Sequence, residues 1–277
     1  MPQASPRKGA DMQPTKELGH RRTLFDAVAD EYDEIRPGYP DALVQDIIDM
    51  AGLPAGGQIF EIGCGTGQAT APFAQRGYRV DSIDIGPHMV ARTAAKFAQN
   101  LRVSVSLGSF EDWDAQPGSY DLVMSATAFH WIDPALGYPK AARMLREGGA
   151  VAIFANKQPD PYDTPFYIAS QEVYRRVVPE WASPEAITPL ATQIERDVAA
   201  IDATGCFAPV TVRTYPWSVR YTTEQHIKLF NTYSDFRDLP DPTRHALYQG
   251  LAELIDTQFG GAITRSYIAV LYLARRA

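Results

Sequence analysis

Apolar positions recur along this chain with two different periods, and the alternation between them sets out the fold. From Gly57 onward, short apolar runs at 58–63, 78–84, 102–108, 120–126 and 149–156 are separated by amphipathic stretches around 69–75, 88–100 and 134–145. Strand, helix, strand at this spacing implies right-handed crossovers and a parallel sheet, hence an α/β doubly wound domain. Upstream, Leu24, Phe25, Val28, Tyr32 and Ile35 share helical spacing, and order is expected from Thr23. That helix stops at Arg36-Pro37-Gly38-Tyr39-Pro40, which reads as a sharp corner. Residues 41–50 place Leu43, Val44, Ile47 and Ile48 on one helical face, ended by Gly52 and Pro54.

The rhythm breaks over 157–204, which is rich in proline and aromatic residues and reads as irregular helices inserted into the fold. It returns at 211–221 with extended chain. Thr222 and Gln225 then predict a capping box for the next helix. Asp241-Pro242 opens another helix as a cap with proline at its first position, and Gly260-Gly261 closes it. Residues 263–273 are apolar on both faces, as expected of an interior strand.

Composition adds limits. With 277 residues, 45% hydrophobic and 21% charged, the chain is an ordinary globular protein with a substantial core. No apolar run approaches the roughly 18 residues of a membrane helix, so no membrane role is expected. A net charge of −7 disfavours a partner made of phosphate backbone. Two cysteines, Cys64 and Cys206, form neither a disulfide framework nor a zinc cage, which fits a reducing, cytoplasmic setting. Residues 1–22 carry no apolar segment, and Asp11 and Glu17 spoil a transit-peptide reading. They are read as a flexible tail.

The strongest chemical signal is Ile59-Phe60-Glu61-Ile62-Gly63-Cys64-Gly65-Thr66-Gly67. A buried strand ends in a carboxylate, then three glycines alternate before a helix. Glycine lets the backbone turn tightly and lets a ligand approach where a Cβ would collide. A dinucleotide fingerprint would need glycine or alanine where Gln68 or Thr70 stands, and a phosphate loop would need a lysine. Glu61 would repel a phosphate, so a cationic or zwitterionic ligand fits better. Asp84, about 20 residues on at the end of the next strand, is placed to accept hydrogen bonds from ribose hydroxyls. Adenosine with a cationic amino-acid tail describes S-adenosylmethionine.

These residues resemble the class I S-adenosylmethionine-dependent methyltransferases from about Phe25 to the C-terminus. EIGCGTG (61–67) resembles the first motif of that superfamily, and Asp84 its ribose-binding acid. GSFEDW (108–113) stands at the adenine motif, YDLVMSATAFHWID (120–133) at the fourth, and LREGGAVAIF (145–154) leads into the fifth strand. FDAVADEYDEIRPGYP and AFHWID are similar to a small-molecule subgroup that includes trans-aconitate methyltransferase-like proteins. The resemblance implies a mostly parallel seven-stranded, Rossmann-like sheet over 23–277 with an antiparallel C-terminal strand and a helical lid at 157–204. It implies S-adenosylmethionine as cofactor, S-adenosylhomocysteine as product and no metal.

By the same resemblance, Glu61 holds the glycine loop or reaches the methionine amino group through water. Gly63, Gly65 and Gly67 line the methionine and ribose portions, and Ile85 and Met89 pack around adenosine, although Met89 equally suits a core position. Ser109 stands where aspartate is common, so adenine is read by Ser109, by the Phe110 backbone N–H or by Glu111. Tyr32 and Arg36 close the site, the arginine facing the methionine carboxylate, or are a core aromatic and a turn residue. Ala126 ends the fourth strand at the reacting end. His130 is the candidate general base, with Tyr32 the second catalytic candidate. The alternative for His130 is a structural histidine beside Trp131, because a carboxylate nucleophile needs no base.

Neither an Asp/Asn-Pro-Pro-aromatic element nor a prolyl-cysteine nucleophile is present. Together with the acidic charge, this points to a small-molecule acceptor, a carboxylate or hydroxyl, and not nucleic acid. Tyr32, Phe129 and Trp131 are candidate faces for the sulfonium. Tyr162, Phe166, Tyr167 and Trp181 line an acceptor pocket or form the insertion's own core, and Lys157 is a candidate attractor for an anionic acceptor. A non-catalytic binding module and a nicotinamide-dependent oxidoreductase are the alternatives.

Overall fold

The structure is a computed structural model and describes residues 25–159, 164–181 and 188–277. The expected tail at 1–22, with Leu24, and Tyr162 of the insertion lie outside the described residues. A 3-10 turn at Asp26–Val28 leads into α1 (Ala29–Ile35). Then come α2 (Asp41–Ala51), β1 (Gln58–Ile62), α3 (Thr70–Gln75), β2 (Arg79–Asp84), α4 (Pro87–Lys96), β3 (Val103–Leu107) and β4 (Tyr120–Ala126). A second 3-10 turn, Phe129–Trp131, precedes α5 (Pro134–Met144) and β5 (Leu145–Lys157). The remainder is α6 (Pro165–Val177), a 3-10 turn (Pro179–Trp181), α7 (Leu190–Asp202), β6 (Thr211–Thr222), α8 (Thr223–Asn231), α9 (Ser234–Arg237), α10 (Asp241–Gln258) and β7 (Ala262–Arg275).

One seven-stranded sheet runs in the order β3-β2-β1-β4-β5-β7-β6. The pairs β1–β2, β1–β4, β2–β3 and β4–β5 are parallel, and β7 lies antiparallel to β5. The chain moves outward from β1 to β3 and then returns to the other side of β1 as β4. The strand order therefore reverses between β1 and β4, and the crevice beyond their carboxyl ends is where open α/β sheets bind ligands. Central strands have both faces covered, which is why Ile59, Phe60, Leu122, Val123, Ala150 and Val151 read as apolar runs without alternation and are fully buried.

The described residues divide into two compact units. The first, comprising 37–157, 194–217 and 268–277, holds β1 to β5 and α2 to α5. Its core joins Leu43, Val44 and Ile47 of α2 to Ile59, Leu122, Ala152 and Leu271 of the strands. The second comprises the N-terminal segment to Arg36 with 158–193 and 218–267. In it α10 packs on α6 and α8, and α1 on α8. Phe236 is fully buried there, stacked on Phe230 at 4.5 Å and edge-on to Trp181 at 5.1 Å.

Several local expectations are corrected. The 157–204 stretch contains two regular helices of 13 residues each, α6 and α7, the first capped by Thr164 accepting from the Tyr167 amide. The corner at Arg36-Pro37-Gly38-Tyr39-Pro40 is a bend at Arg36 followed by irregular chain into α2. Gly38 needs no left-handed backbone, and Arg36 and Pro40 have ψ of 129° and 139°. Asp241 is the first residue of α10 and not its cap: Pro240 precedes the helix without a side-chain cap, and the Asp241 carboxylate pairs with Arg244. The Thr222–Gln225 capping box is present with both hydrogen bonds. No helix among the described residues is long and apolar enough to cross a membrane.

Gly250 explains how closely α6 and α10 approach, since a Cβ there would lie 2.8 Å from Val173 Cγ1. Gly250→Val should therefore lower stability by about 1–3 kcal/mol through overpacking. Thr222→Ala should cost about 1 kcal/mol through loss of the cap. Urea unfolding of both variants checks the ranking.

Candidate active site

The loop after β1 is clamped from several directions. Gly63 and Cys64 amides both donate to the Ile83 carbonyl at 2.9 and 3.0 Å, and the Gly65 amide donates to Asp84 Oδ2 at 2.9 Å. The other Asp84 oxygen accepts from the Gly86 amide at 2.9 Å, so one carboxylate fixes both the glycine loop and the turn into α4. Thr93 Oγ1 donates to the Gly65 carbonyl at 2.7 Å, and Lys96 Nζ to the Thr66 carbonyl at 2.6 Å. Met89, Thr93 and Lys96 recur at helical spacing on α4, and the structure brings all three into play: Met89 is buried, and the other two hold the loop. The sequence reading missed Thr93 and Lys96, although this periodicity with Met89 was the available signal.

The glycines are needed for more than ligand approach. Gly63, Gly65 and Gly67 have φ of 69°, 54° and 85°. A Cβ on Gly63 would lie 2.5 Å from the Ala128 Cβ, and one on Gly67 would lie 2.9 Å from the Phe97 ring. At these two positions it is the protein's own side chains that approach. The Gly63 contact also sets the loop after β1 directly against the turn after β4.

Glu61 is fully buried beneath this loop. Thr70 Oγ1 donates to its Oε2 at 2.5 Å and Ser82 Oγ to the same atom at 3.3 Å, while Oε1 has no hydrogen-bond partner among the described residues. Burial pushes the carboxyl up to about 7, against the two hydroxyls and with a smaller upward push from Asp84. A buried acid with an unpartnered oxygen is suited to a cationic group and hostile to a phosphate.

Ile85 is half-buried at the end of β2. Past β3, Ser109 Oγ donates to Asp112 Oδ2 at 2.7 Å and accepts from the Asp112 amide at 3.1 Å. The Phe110 ring is buried against Phe60, with Lys140 Nζ 5.3 Å from its centroid, so its ring is core. Glu111 is half-buried and its carbonyl accepts from Lys140 at 2.9 Å.

At the end of β4, Ala126 is half-buried and Thr127 has φ of 56°, the one non-glycine residue with positive φ among those described. A β-branched residue is strained there, a feature typical of functional sites. Thr127 is held by its amide to the Phe154 carbonyl at 2.8 Å and by its hydroxyl to Tyr39 Oη at 2.7 Å. His130 is exposed on the following 3-10 turn, its ring 4.7 Å from that of Trp131. Phe129 is corrected as a cation face: it is buried, 4.6 Å from the Tyr138 ring. Lys157 is not an open attractor either, because Asp197 lies 3.8 Å from its Nζ.

Tyr32 and Arg36 belong to the other unit. Arg36 lies between the rings of Tyr32 and Tyr233, at 4.7 and 4.3 Å, and donates to Thr232 Oγ1 and to the Thr232 carbonyl. There too, Phe166 packs against His226 at 5.0 Å and Trp181 against Phe236. Both are partly exposed, and these contacts join the insertion to α8 and α9 of the same unit.

Residues 59–149 match a family model described as a methyltransferase domain. An uncharacterized methyltransferase of Mycobacterium bovis is 32% identical over 132 residues, or 48% of this chain and 51% of that protein. The demethylmenaquinone methyltransferase of Tropheryma whipplei is 29% identical over 161 residues, or 55% of this chain and 65% of that protein. The matched region thus spans about half of the first relative and under two thirds of the second. Among solved structures, a phosphoethanolamine N-methyltransferase of Haemonchus contortus bound to S-adenosylhomocysteine is similar with a TM-score of 0.56 at 16% identity, covering 97% of this chain and 61% of that one. The YcgJ protein of Bacillus gives 0.51 at 16%, covering 85% and 98%. At such identities the likeness is one of fold, and the fold is that of the class I methyltransferases.

Glu61 gives a pH signature. Its folded-state value lies above its unfolded one, so folding favours the protonated form. That stability is present below the unfolded value and is lost as pH rises through about 7. Glu61→Gln should therefore be more stable than the parent at pH 8 by about 3 kcal/mol and show little difference near pH 4. Thermal unfolding of both proteins across this range tests it.

Proposed function

We propose that this chain, whose residues 59–149 match a methyltransferase domain and whose fold is that of the class I methyltransferases, transfers a methyl group from S-adenosylmethionine to a small-molecule acceptor. The observation that carries the reading is the pairing of a buried, unpartnered Glu61 oxygen with a glycine loop fixed by Asp84. When bound, the cofactor supplies a methyl group already made electrophilic by its sulfonium.

The residues present fit that group. Glu61 offers a buried acceptor to a cationic amino group, and the loop from Gly63 to Gly67 contains no lysine or arginine that would select phosphate. Asp84 stands at the carboxyl end of β2, where an acid can meet ribose hydroxyls. The backbone at Ser109–Glu111 is the candidate adenine reader. Because the Phe110 ring is committed to the core, the contribution of Phe110 is its N–H.

The chain's task is then mainly positional. Holding the nucleophile in line with the methyl carbon and excluding water supplies on the order of 7–11 kcal/mol of barrier lowering. The turn at Thr127–Trp131, packed against Gly63, forms the wall at the reacting end, and Thr127 keeps its strained backbone through Tyr39 and Phe154. His130, exposed on this turn, is the base for a hydroxyl acceptor. A carboxylate acceptor would not need it.

Isothermal titration should show S-adenosylmethionine and S-adenosylhomocysteine binding with micromolar affinity. Asp84→Ala should lose at least tenfold, and NAD should give no heat. No binding of either sulfur ligand would overturn the reading. With an acceptor found by screening small acids and alcohols against labelled cofactor, His130→Ala should lower kcat by about 10²-fold if the acceptor is a hydroxyl. An unchanged kcat on a hydroxyl acceptor would remove His130 from the catalytic set.

A further inference from the structure

Arg265, on the first half of β7, is half-buried and keeps its charge at every accessible pH. Its one hydrogen bond among the described residues is from Nη1 to His226 Nε2 at 3.1 Å. That imidazole is fully buried, and burial together with the Arg265 cation holds its pKa well below the usual histidine range. His226 is therefore neutral, accepts through Nε2, and brings no negative charge.

The rest of the surroundings are aromatic. The Arg265 guanidinium carbon lies 5.4 Å from the Phe230 ring centroid and 5.8 Å from that of Tyr267, near the outer limit of about 6 Å for a cation–π contact. The phenols of Tyr174, Tyr221, Tyr233 and Tyr267 are all close enough to interact with it electrostatically. Burial raises Tyr174, Tyr221 and Tyr267, so these phenols are protonated donors and not counterions. No carboxylate lies within 4 Å of Arg265 among the described residues. Arg36 repeats the pattern. It is stacked on Tyr233, bonded to Thr232 and likewise without a carboxylate among the described residues.

Desolvating a guanidinium costs more than two distant cation–π contacts return, and a buried charge is ordinarily paired. Here the Arg265 cation stands among neutral hydroxyls, with those of Tyr221 and Tyr267 3.4 Å apart, which leaves a local excess of positive charge. We infer that Arg265 and the tyrosines around it form a binding site for the carboxylate of a small organic acid. One planar fork matches one carboxylate bidentately, and phenol O–H groups can complete its acceptor positions. Arg265 keeps a minor part of its surface open to solvent.

The probes are acetate, benzoate and succinate, with succinamide and inorganic phosphate as controls. Each is titrated calorimetrically into the full chain with and without saturating S-adenosylhomocysteine. At least one carboxylate should bind, succinamide should not, and phosphate should bind more weakly. Arg265→Gln should lower carboxylate affinity at least tenfold while S-adenosylhomocysteine affinity stays within twofold, which separates this site from the cofactor reading. If circular dichroism shows Arg265→Gln misfolded, Arg265→Lys takes its place, because it keeps the charge and loses the fork. Tyr221→Phe should weaken binding several-fold in either background. Failure of all three carboxylates to bind, undiminished binding in a folded Arg265 variant, or phosphate binding as tightly as the best carboxylate would overturn the assignment.

Discussion

The Asp84 carboxylate is the constraint on which the candidate site depends. One oxygen accepts from the Gly65 amide and the other from the Gly86 amide, so a single side chain ties the turn after β1 to the turn after β2. Hydrogen bonds from backbone amides to a carboxylate are charge-assisted and short, and two of them on one rigid group leave little freedom to either turn. Once Gly65 is fixed, its neighbours follow. Gly63 can close on Ala128, Gly67 on Phe97, and the carbonyls of Gly65 and Thr66 face Thr93 and Lys96.

This clasp puts two strained or costly features next to one another. Thr127 holds a left-handed backbone that its branched side chain disfavours, and Glu61 holds an acid in a site that disfavours its charge. Each costs stability, and each lies at a carboxyl end of the two strands flanking the switch point, β4 and β1. Such costs are tolerated where surrounding structure over-determines them. Here Ile83, Phe154, Tyr39, Thr70 and Ser82 supply the determining contacts.

Much of this was legible in the residues. The strand and helix periods place β1 to β4 nearly to the residue because buried parallel strands and amphipathic crossovers leave unlike patterns, whereas β5 begins at Leu145, ahead of the run read from 149. The EIGCGTG stretch and Asp84 were legible because glycine, acid and spacing carry a specific geometry. Other features left weaker traces. Asp241 resembles a cap, yet Pro240 takes that position. The aromatic run after β5 reads as irregular because Pro165, Pro179 and Pro189 punctuate it, yet none of them lies inside α6 or α7 beyond the first residue. Thr127's strain and the Tyr39 bond to it span 88 positions, a separation no local pattern reports. Arg265 reads as an ordinary strand residue, and only the fold sets it against the Phe230 and Tyr267 rings and the buried His226 imidazole.

The central claim is that the loop clasped by Asp84 binds an adenosyl sulfonium cofactor rather than a dinucleotide. Amide hydrogen exchange read at Gly63–Gly67, Asp84–Gly86 and Ser109–Glu111, with and without S-adenosylhomocysteine, tests this most directly. The account predicts slower exchange at all three segments with S-adenosylhomocysteine and no change with NAD. Unchanged exchange with S-adenosylhomocysteine, or protection by NAD at the same amides, would contradict it.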